Sequence, residues 1–462
     1  MTPRARDASA LRRYHELTKH SPTSVATSRH RLDWANLPLP FKIYRDLPGV
    51  PPPDDIGRLC RLSNGVLRWR RSPRGEMFGF RAAPCTGALY HVELYVATTP
   101  RDDLAVGLYH YGAHDHALRL LRAGDVRGAL VDAAAAPAIS RAPLLAVLTS
   151  TFARNAWKYE ARAYRHAFWD AGAIVANLLE LEAADGVPAA VVMAFDDATV
   201  NRLVGGDATH EAALAIVALG DGAPPAPPPN GVLEPLDLAT EPVTRREIRY
   251  EAIERAHAAS SLGADDIAPW RERAGAVRVA VPPRAVATVP DTVIERRRST
   301  RRFDPRPIDR SQLSALVHAA TIGIPGDAFD PLPVEPFLIV NAVHGVDPGT
   351  YRAEVTPIRR GEFAEVAGAL ALWQELGSDA AVDVYLLADV DAVLDRLGGR
   401  GYRVAQMAGG IAGARVELTA TALGLGATGL TFFDDEVTAL FEPAARGRQV
   451  MYLAAAGRRR RR

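Results

Sequence analysis

Hydrophobic and polar positions follow two different periods along this chain of 462 residues. Short apolar or alternating segments, such as residues 91–98 and 214–219, predict strands. Longer segments whose apolar positions recur at spacings of three and four predict helices, and the longest of these covers residues 159–184. Because strands and helices are mixed along the chain, the pattern predicts an α+β fold.

The second half of the chain repeats the first half. Segments of the first half have counterparts in nearly constant register in the second half: 92–96 with 334–338, 171–186 with 409–424, and 195–197 with 433–435. A single loose match arises by chance, but several in one register indicate an internal repeat. The chain is therefore predicted to contain two copies of one α+β unit.

Composition divides the chain into four parts. Residues 1–50 are rich in proline and aromatic side chains and predict an extended arm. The two copies are assigned to residues 51–220 and 291–462. Between them, residues 221–290 hold a stiff linker with the sequence Asp-Gly-Ala-Pro-Pro-Ala-Pro-Pro-Pro, followed by a predicted connecting helix.

The overall composition excludes several classes of protein. With 48% hydrophobic residues, 24% charged residues and a net charge of +1, the chain is typical of globular proteins, and nucleic acid is not expected as its main partner. We expect no membrane span and a cytoplasmic location, because no apolar run reaches about 18 residues and no signal peptide is recognisable. Two cysteines form neither a disulfide framework nor a zinc cluster, so no metal is predicted.

Lys158 is a candidate for proton chemistry. Of the 55 lysine and arginine residues, only three are lysine, and the others are arginine. Arg154, Lys158, Arg162 and Arg165 lie at helical spacing and predict a cationic face beside Tyr159. Such a face would lower the pKa of the phenol and prepare it to act as a base. The alternative is a solvated basic helix face.

Each copy carries half of a potential binding site. The second copy begins with Arg296-Arg-Arg-Ser-Thr-Arg-Arg-Phe303 before a predicted helix at 311–321, and alternate arginines with a hydroxyl between them fit a phosphate dianion. The alternative is a solvated basic turn. The first copy lacks this cluster but has Pro84-Cys-Thr-Gly87 and Lys158-Tyr159, which the second copy lacks.

These motifs carry a family resemblance. The segment 297–303, followed by Pro307-Ile308 and Gln312-Leu313, resembles the opening motif of the FMN-dependent nitroreductase superfamily. The first copy is similar to the SagB-type azoline dehydrogenases over 81–90, 93–95, 107–111 and 158–177. This resemblance implies two tandem nitroreductase-like domains, each a mixed sheet flanked by helices, that form an intrachain pseudo-dimer.

The resemblance also implies one FMN site between the copies. Its phosphate would be held by Arg297, Arg298, Ser299 and Arg301, and an arginine of the 458–462 tail would add to them. The flavin ring would lie along Gly429, Leu430 and Thr431, with Pro84, Cys85, Thr86 and Gly87 approaching from the other copy. Cys85 stands where the family usually has serine. The opposite interface is expected to be empty.

The implied reaction is oxidation of a thiazoline or oxazoline to its azole. FMN would take the hydride, and Tyr159 or Lys158 would take the proton. The expected substrate is an azoline-bearing peptide or small molecule, with cyclodehydratase partner proteins and a monomeric or homodimeric chain. One alternative is an NAD(P)H-dependent nitro or quinone reductase. Another is a degenerate flavoprotein that serves as a scaffold or peptide-binding subunit.

Overall fold

A computed structural model of the chain describes residues 8–71, 75, 77–229, 231 and 233–460. Of the basic tail, Arg461 and Arg462 lie outside the described residues. Two large sheets and a separate two-stranded hairpin form the β structure. Within the described part of the chain, no helix has the length and apolar character that crossing a membrane requires.

The sheet of the first copy has six strands in the order β5-β4-β3-β6-β8-β7. A hairpin of β1 and β2 precedes it. The strands are β1 (Val66–Arg71), β2 (Met77–Arg81), β3 (Val92–Thr98), β4 (Gly107–Gly112), β5 (Ala117–Ala123), β6 (Leu144–Thr151), β7 (Ala189–Val192) and β8 (Glu211–Leu219). The strands of the core are buried on both faces, which explains their long apolar runs.

The sheet of the second copy repeats this order as β12-β11-β10-β13-β15-β14, and β9 pairs with the end of β15. Its strands are β9 (Phe303–Asp304), β10 (Glu335–Val340), β11 (Gly349–Arg352), β12 (Thr356–Arg360), β13 (Val382–Ala388), β14 (Gly426–Gly429) and β15 (Gln449–Arg459). The ladders between these strands are antiparallel, and parallel pairing occurs in isolated bridges such as Val191 with Gly326. The predicted repeat and α+β fold are confirmed.

Helices cover the sheets and join the two copies. They are α1 (Ala8–Leu17), α2 (Pro22–Ala26), α3 (Asp54–Asn64), α4 (Arg127–Ala133), α5 (Phe152–Tyr159), α6 (Ala163–Asp185), α7 (Asp197–Val204), α8 (Glu251–Ser260), α9 (Ala264–Ala274), α10 (Pro290–Arg296), α11 (Arg310–Thr321), α12 (Ala364–Leu370), α13 (Glu375–Asp379), α14 (Val390–Leu397), α15 (Gly399–Ala422) and α16 (Asp434–Phe441).

The long helices α6 and α15 cross at the centre of the molecule through two glycines. A Cβ atom on Gly172 would lie 2.7 Å from the backbone nitrogen of Ile411, and one on Gly410 would lie 2.6 Å from the carbonyl oxygen of Trp169. Gly172 and Gly410 are equivalent positions in the repeat. The two copies therefore pack as an intrachain pseudo-dimer, with backbones in contact at the crossing.

Buried ion pairs cross between the copies in both directions. Two arginines at the start of α6 and immediately before it bind a carboxylate of the second copy, and the equivalent two arginines of α15 bind a carboxylate of the first copy. Because these charges are buried, removing one partner leaves an unpaired charge in the interior, at a cost of about 3–5 kcal/mol. The pairs are Arg162 and Arg165 with Asp434, and Arg400 and Arg403 with Asp197.

Two local predictions were wrong. The amino-terminal arm is not extended throughout, because α1 and α2 form within it; Leu11 and Tyr14 of α1 pack in the main core. The helix predicted over 159–184 does not continue from the preceding helical segment. The chain breaks at Glu160, whose φ is 50°, and separates α5 from α6.

Glu182 near the end of α6 gives the fold a testable pH dependence. It is 5% exposed, and the described part of the chain supplies no hydrogen-bond or ion-pair partner for its carboxylate. Burial and the neighbouring Asp185 raise the pKa of Glu182 to about 7. Because this value exceeds that of the unfolded chain, the folded protein loses stability as pH rises from about 4.5 to about 7.

We expect Glu182→Gln to stabilise the protein by about 2 kcal/mol at pH 8, because glutamine carries no charge to bury. The difference from the parent should become small at about pH 3.5, where Glu182 is mostly protonated in both states. Thermal unfolding at the two pH values measures this effect. Glu362→Gln is the matched control, since Glu362 is exposed. Equal melting temperatures of parent and Glu182→Gln at pH 8 would contradict the prediction.

Candidate functional site

Lys158 and Tyr159 lie together at the end of α5, immediately before the chain reverses at Glu160. The Lys158 Nζ atom is 5.2 Å from the centre of the Tyr159 ring. Lys158 is partly exposed, and the residues that the structure describes supply no hydrogen bond or ion pair to its amine. Tyr159 rests on the loop of residues 84–87, because a Cβ on Gly87 would lie 2.8 Å from its hydroxyl oxygen. The structure thus brings the two candidate catalytic residues to the predicted flavin loop.

The expectation of a lowered tyrosine pKa was wrong. Burial raises the pKa of Tyr159 above its ordinary value, and the charge of Asp170 raises it further. The arginines that were expected to act on it point elsewhere: Arg154 binds Glu93, while Arg162 and Arg165 bind the carboxylate of α16. Tyr159 therefore keeps its proton at neutral pH and can donate a hydrogen bond.

Asp170 anchors the loop of residues 84–87. Its carboxylate accepts hydrogen bonds from the Thr86 backbone nitrogen at 2.9 Å, the Thr86 hydroxyl at 2.8 Å and the Cys85 thiol at 3.1 Å. The Nε2 atom of His91 lies 2.8 Å from the same carboxylate. The sequence analysis missed Asp170, although an acidic residue inside the apolar helix α6 was a usable signal.

Cys85 takes part in the loop as a neutral thiol. Its sulfur accepts the backbone N–H of Tyr90 at 3.0 Å while donating to Asp170. Burial and the charge of Asp170 raise the pKa of the thiol well above its ordinary value. Cys85 thus makes the donor and acceptor contacts that a hydroxyl would make at this position.

A second anchor joins the loop to Tyr159. Asn155 donates from Nδ2 to the Thr86 carbonyl at 3.2 Å, and its Oδ1 atom lies 2.7 Å from Nδ1 of His166. The His166 ring meets the Tyr159 ring edge-on, with centres 4.7 Å apart. Burial and nearby arginines lower the pKa of His166 well below its ordinary value, so this histidine is neutral. These contacts were not predicted from the sequence.

Arginines from the second copy lie close to one another near the loop of residues 84–87. Arg297 is buried and donates to the carbonyl oxygen of Ala82 at 2.9 Å. Burial lowers the pKa of Arg298, and repulsion from Arg297 and Arg459 lowers it further. Burial, followed by repulsion from Arg296 and Arg297, also lowers the pKa of Arg459. Within the described ranges, the Nε and Nη2 atoms of Arg459 are buried without a partner. Clustered guanidinium groups with unused N–H donors fit an anion such as a phosphate.

Glu417 of α15 connects the arginines to the segment of residues 429–431. It lies 3.5 Å from Arg297, accepts a hydrogen bond from the Tyr452 hydroxyl at 3.2 Å, and accepts the backbone N–H of Gly429. Burial raises the pKa of Glu417, and the charge of Asp170 adds to this effect. Glu417 therefore lies between the predicted phosphate ligands and the predicted ring segment, both of which belong to the second copy. It was not predicted from the sequence.

The remaining predicted residues occupy one edge of the second sheet. Ser299 forms a parallel bridge with Ala427 of β14. Gly429 is exposed and Leu430 and Thr431 are partly exposed, so their backbone is accessible beside the loop. Arg301 is exposed and is not among the guanidinium groups that act on Arg298. Its predicted contact with phosphate stays a prediction.

The opposite interface between the copies is closed. There, the segment 323–326 takes the place of the loop of residues 84–87 and pairs directly with β7: Val191 N–H donates to the Pro325 carbonyl at 2.9 Å, and Asp327 N–H donates to the Val191 carbonyl at 3.1 Å. A Cβ on Gly326 would lie 2.0 Å from the Val191 oxygen. Backbone in hydrogen-bonded contact leaves no space for a planar ring.

Known proteins resemble this chain in sequence and in structure. The nitroreductase family model matches residues 44–221 and 294–457. A candidate nitroreductase from Anabaena variabilis is 28% identical, with a TM-score of 0.80 over 98% of this chain and 99% of its own. The Escherichia coli microcin synthetase McbBCD complex, with truncated pro-MccB17 bound, is 20% identical, with a TM-score of 0.30 over 44% of this chain and 74% of its own.

A candidate nitroreductase from Desulfovibrio desulfuricans, in complex with FMN, is 18% identical, with a TM-score of 0.28 over 38% of this chain and 88% of its own. No curated protein matches the chain. The family match falls in two segments, one in each copy, and this confirms the tandem arrangement of nitroreductase-like domains. The chain is a member of the nitroreductase family.

Proposed function

We propose that this protein binds FMN and dehydrogenates azolines to azoles, as an enzyme of the SagB type. The observation that carries the proposal is the position of Lys158, an amine without a described partner, beside Tyr159 on the loop of residues 84–87. A simple nitro or quinone reductase removes no carbon-bound proton and so needs no placed base. The SagB-type resemblance of the first copy supports the same conclusion.

The donors present fit FMN. The dianionic phosphate suits the arginine cluster, whose unused N–H groups need an acceptor. The ring suits the accessible backbone between the two copies. In this proposal the phosphate is held by Arg297, Arg298, Ser299 and Arg301, with Arg459 from the tail, and the ring is contacted by Gly429, Leu430, Thr431, Pro84, Cys85, Thr86 and Gly87.

Bound FMN supplies the hydride acceptor that azoline oxidation requires. The proton from the adjacent ring carbon goes to Lys158 in its neutral form, since Tyr159 is already protonated. Tyr159 donates a hydrogen bond that orients the azoline. Asp170 and Asn155 hold the loop against Tyr159, so the reacting groups keep their positions during turnover.

The function is tested with the purified protein and an azoline-bearing peptide in air. We expect FMN to co-purify, and each turnover to remove two hydrogen atoms from one ring, as measured by mass spectrometry. Nitro or quinone reduction driven by NAD(P)H, without azoline oxidation, would identify the reductase instead. A protein that retains no flavin would support the scaffold alternative.

The expected partners are the cyclodehydratase proteins that form azolines in a peptide. This partner class follows from the substrate, because an azoline must be made before it is oxidised. The test is to mix the protein with a cyclodehydratase and its peptide and to follow azole formation. This shows whether the two proteins act on the peptide together. The substrate would then pass from the cyclodehydratase to the site beside Lys158 and Tyr159.

We expect one FMN per chain rather than two. Only one interface combines the arginine cluster with an accessible loop, and the other is closed by the pairing of β7 with the segment 323–326. Released flavin, quantified by absorbance against protein concentration, measures the ratio. A ratio near two would show that the closed interface also accepts a cofactor and would overturn the assignment.

A further inference from the structure

The hairpin of β1 and β2 presents two arginines on one face. In its antiparallel register Arg68 is opposite Phe80 and Arg70 is opposite Phe78, so these four side chains share a face. The guanidinium carbons of Arg68 and Arg70 lie 5.4 Å and 5.9 Å from the centre of the Phe80 ring. We call the face of Arg68 and Arg70 the inner face; on it Arg68 is partly buried, whereas Arg70 and Phe78 are exposed. Arg71, opposite Met77, belongs to the outer face and is also exposed.

This hairpin lies against the arginine cluster of the second copy. Strand β2 ends at Arg81, and the next residue, Ala82, accepts the hydrogen bond from Arg297. The Nε atom of Arg68 is buried and has no partner among the residues that the structure describes. Burial and repulsion from Arg298, Arg70 and Arg297 lower the pKa of Arg68 to about 10.

Arg68, Arg70, Arg297 and Arg298 thus converge with Arg459. In the part of the chain that the structure describes, Nε of Arg68 and Nε and Nη2 of Arg459 are buried without an acceptor. Like charges at close range are unfavourable unless an anion lies between them. None of the described residues of the β1–β2 hairpin is a catalytic candidate. An anion bound between the hairpin and the second copy accounts for this arrangement.

We propose that Arg68 and Arg70 complete the phosphate site from the first copy, facing Arg297, Arg298 and Arg459 of the second. The inference rests on the proposed binding of FMN and adds a second set of phosphate ligands to it. A phosphate has three terminal oxygens, so planar guanidinium groups can bind it from two sides at once. The cofactor would then tie the two copies together at its phosphate end, as well as at its ring.

The test compares Arg68→Gln and Arg70→Gln with Arg71→Gln, which changes the same residue type on the outer face. Each apoprotein is titrated with FMN and with riboflavin, which has the same ring but no phosphate. We expect the two inner-face variants to bind FMN roughly 10-fold to 100-fold more weakly than the parent, because each loses charge-assisted bonds. Riboflavin affinity should be unchanged, and Arg71→Gln should match the parent for both ligands.

Each other outcome has a definite meaning. Normal FMN affinity in both inner-face variants, with FMN bound tightly by the parent, would overturn the role of the hairpin and leave the proposed function standing. An equal loss of FMN and riboflavin affinity would also overturn it, because the arginines would then act on the fold and not on phosphate. A parent that binds neither ligand would refute the proposed function itself.

Discussion

Replacement of Lys158 by alanine is expected to slow azoline oxidation by about 100-fold to 10,000-fold, the usual contribution of a placed base. Tyr159→Phe should slow it by about 100-fold, because a positioned hydrogen-bond donor is lost. Both variants should retain normal flavin content, since neither residue is assigned to FMN. The measurement is single-turnover bleaching of the flavin by an azoline-bearing peptide.

Lys158→Arg is the decisive control. Arginine preserves the positive charge but does not release its proton at ordinary pH, so it cannot serve as a base. If Lys158 only attracts or orients the substrate, the arginine variant should keep most of the parent rate. If Lys158 takes the proton, the Lys158→Arg variant should oxidise the azoline about as slowly as the Lys158→Ala variant. Unchanged rates in all three variants would remove the pair from the mechanism.

The second large effect is expected from the double variant Arg297→Ala, Arg459→Ala, which should weaken FMN binding by about 100-fold to 10,000-fold. Each replaced guanidinium loses a charge-assisted contact worth about 1.5–3 kcal/mol, and the two contacts come from separate elements, because Arg297 follows α10 and Arg459 ends β15. Equilibrium titration of the apoprotein with FMN measures the loss. We also expect the double variant to lose its flavin during a purification in which the parent retains it.

Arg302→Ala provides the comparison for this experiment, because Arg302 is exposed in the same basic segment and is not assigned to the site. Thermal unfolding of each apoprotein shows whether the double variant is folded, which matters because Arg297 also contacts Ala82. A folded double variant that binds FMN as tightly as Arg302→Ala would contradict the phosphate assignment.

The fold was predictable from the sequence because the repeat is visible in local patterns. Strands such as β3 and the helix α3 follow directly from apolar periodicity and a terminal glycine. The helix α1 was missed because its few apolar residues are separated by arginine and histidine side chains. Its stability comes from packing of Leu11 and Tyr14 against distant parts of the core, which no local pattern encodes.

The candidate site could be proposed from the sequence only where one segment carries all of the residues concerned. The arginines of 297–301 and the Lys158–Tyr159 pair are adjacent in sequence, so a motif reveals them. Asp170 and Glu417 act across the fold, on a loop and a strand far from them in the chain. The partners of Arg162 and Arg165 lie in the other copy, and the prediction of a cationic face failed for that reason.

The closed interface at Gly326 has an evolutionary consequence. A protein built from two identical subunits must use one sequence at both of its interfaces, so any change made for one is imposed on the other. Duplication and fusion remove that constraint, and here Gly326 seals one side while its counterpart loop stays open beside Tyr159. A substitution in one copy of this fused chain therefore acts at one interface without being repeated at the other, so the two interfaces can diverge independently.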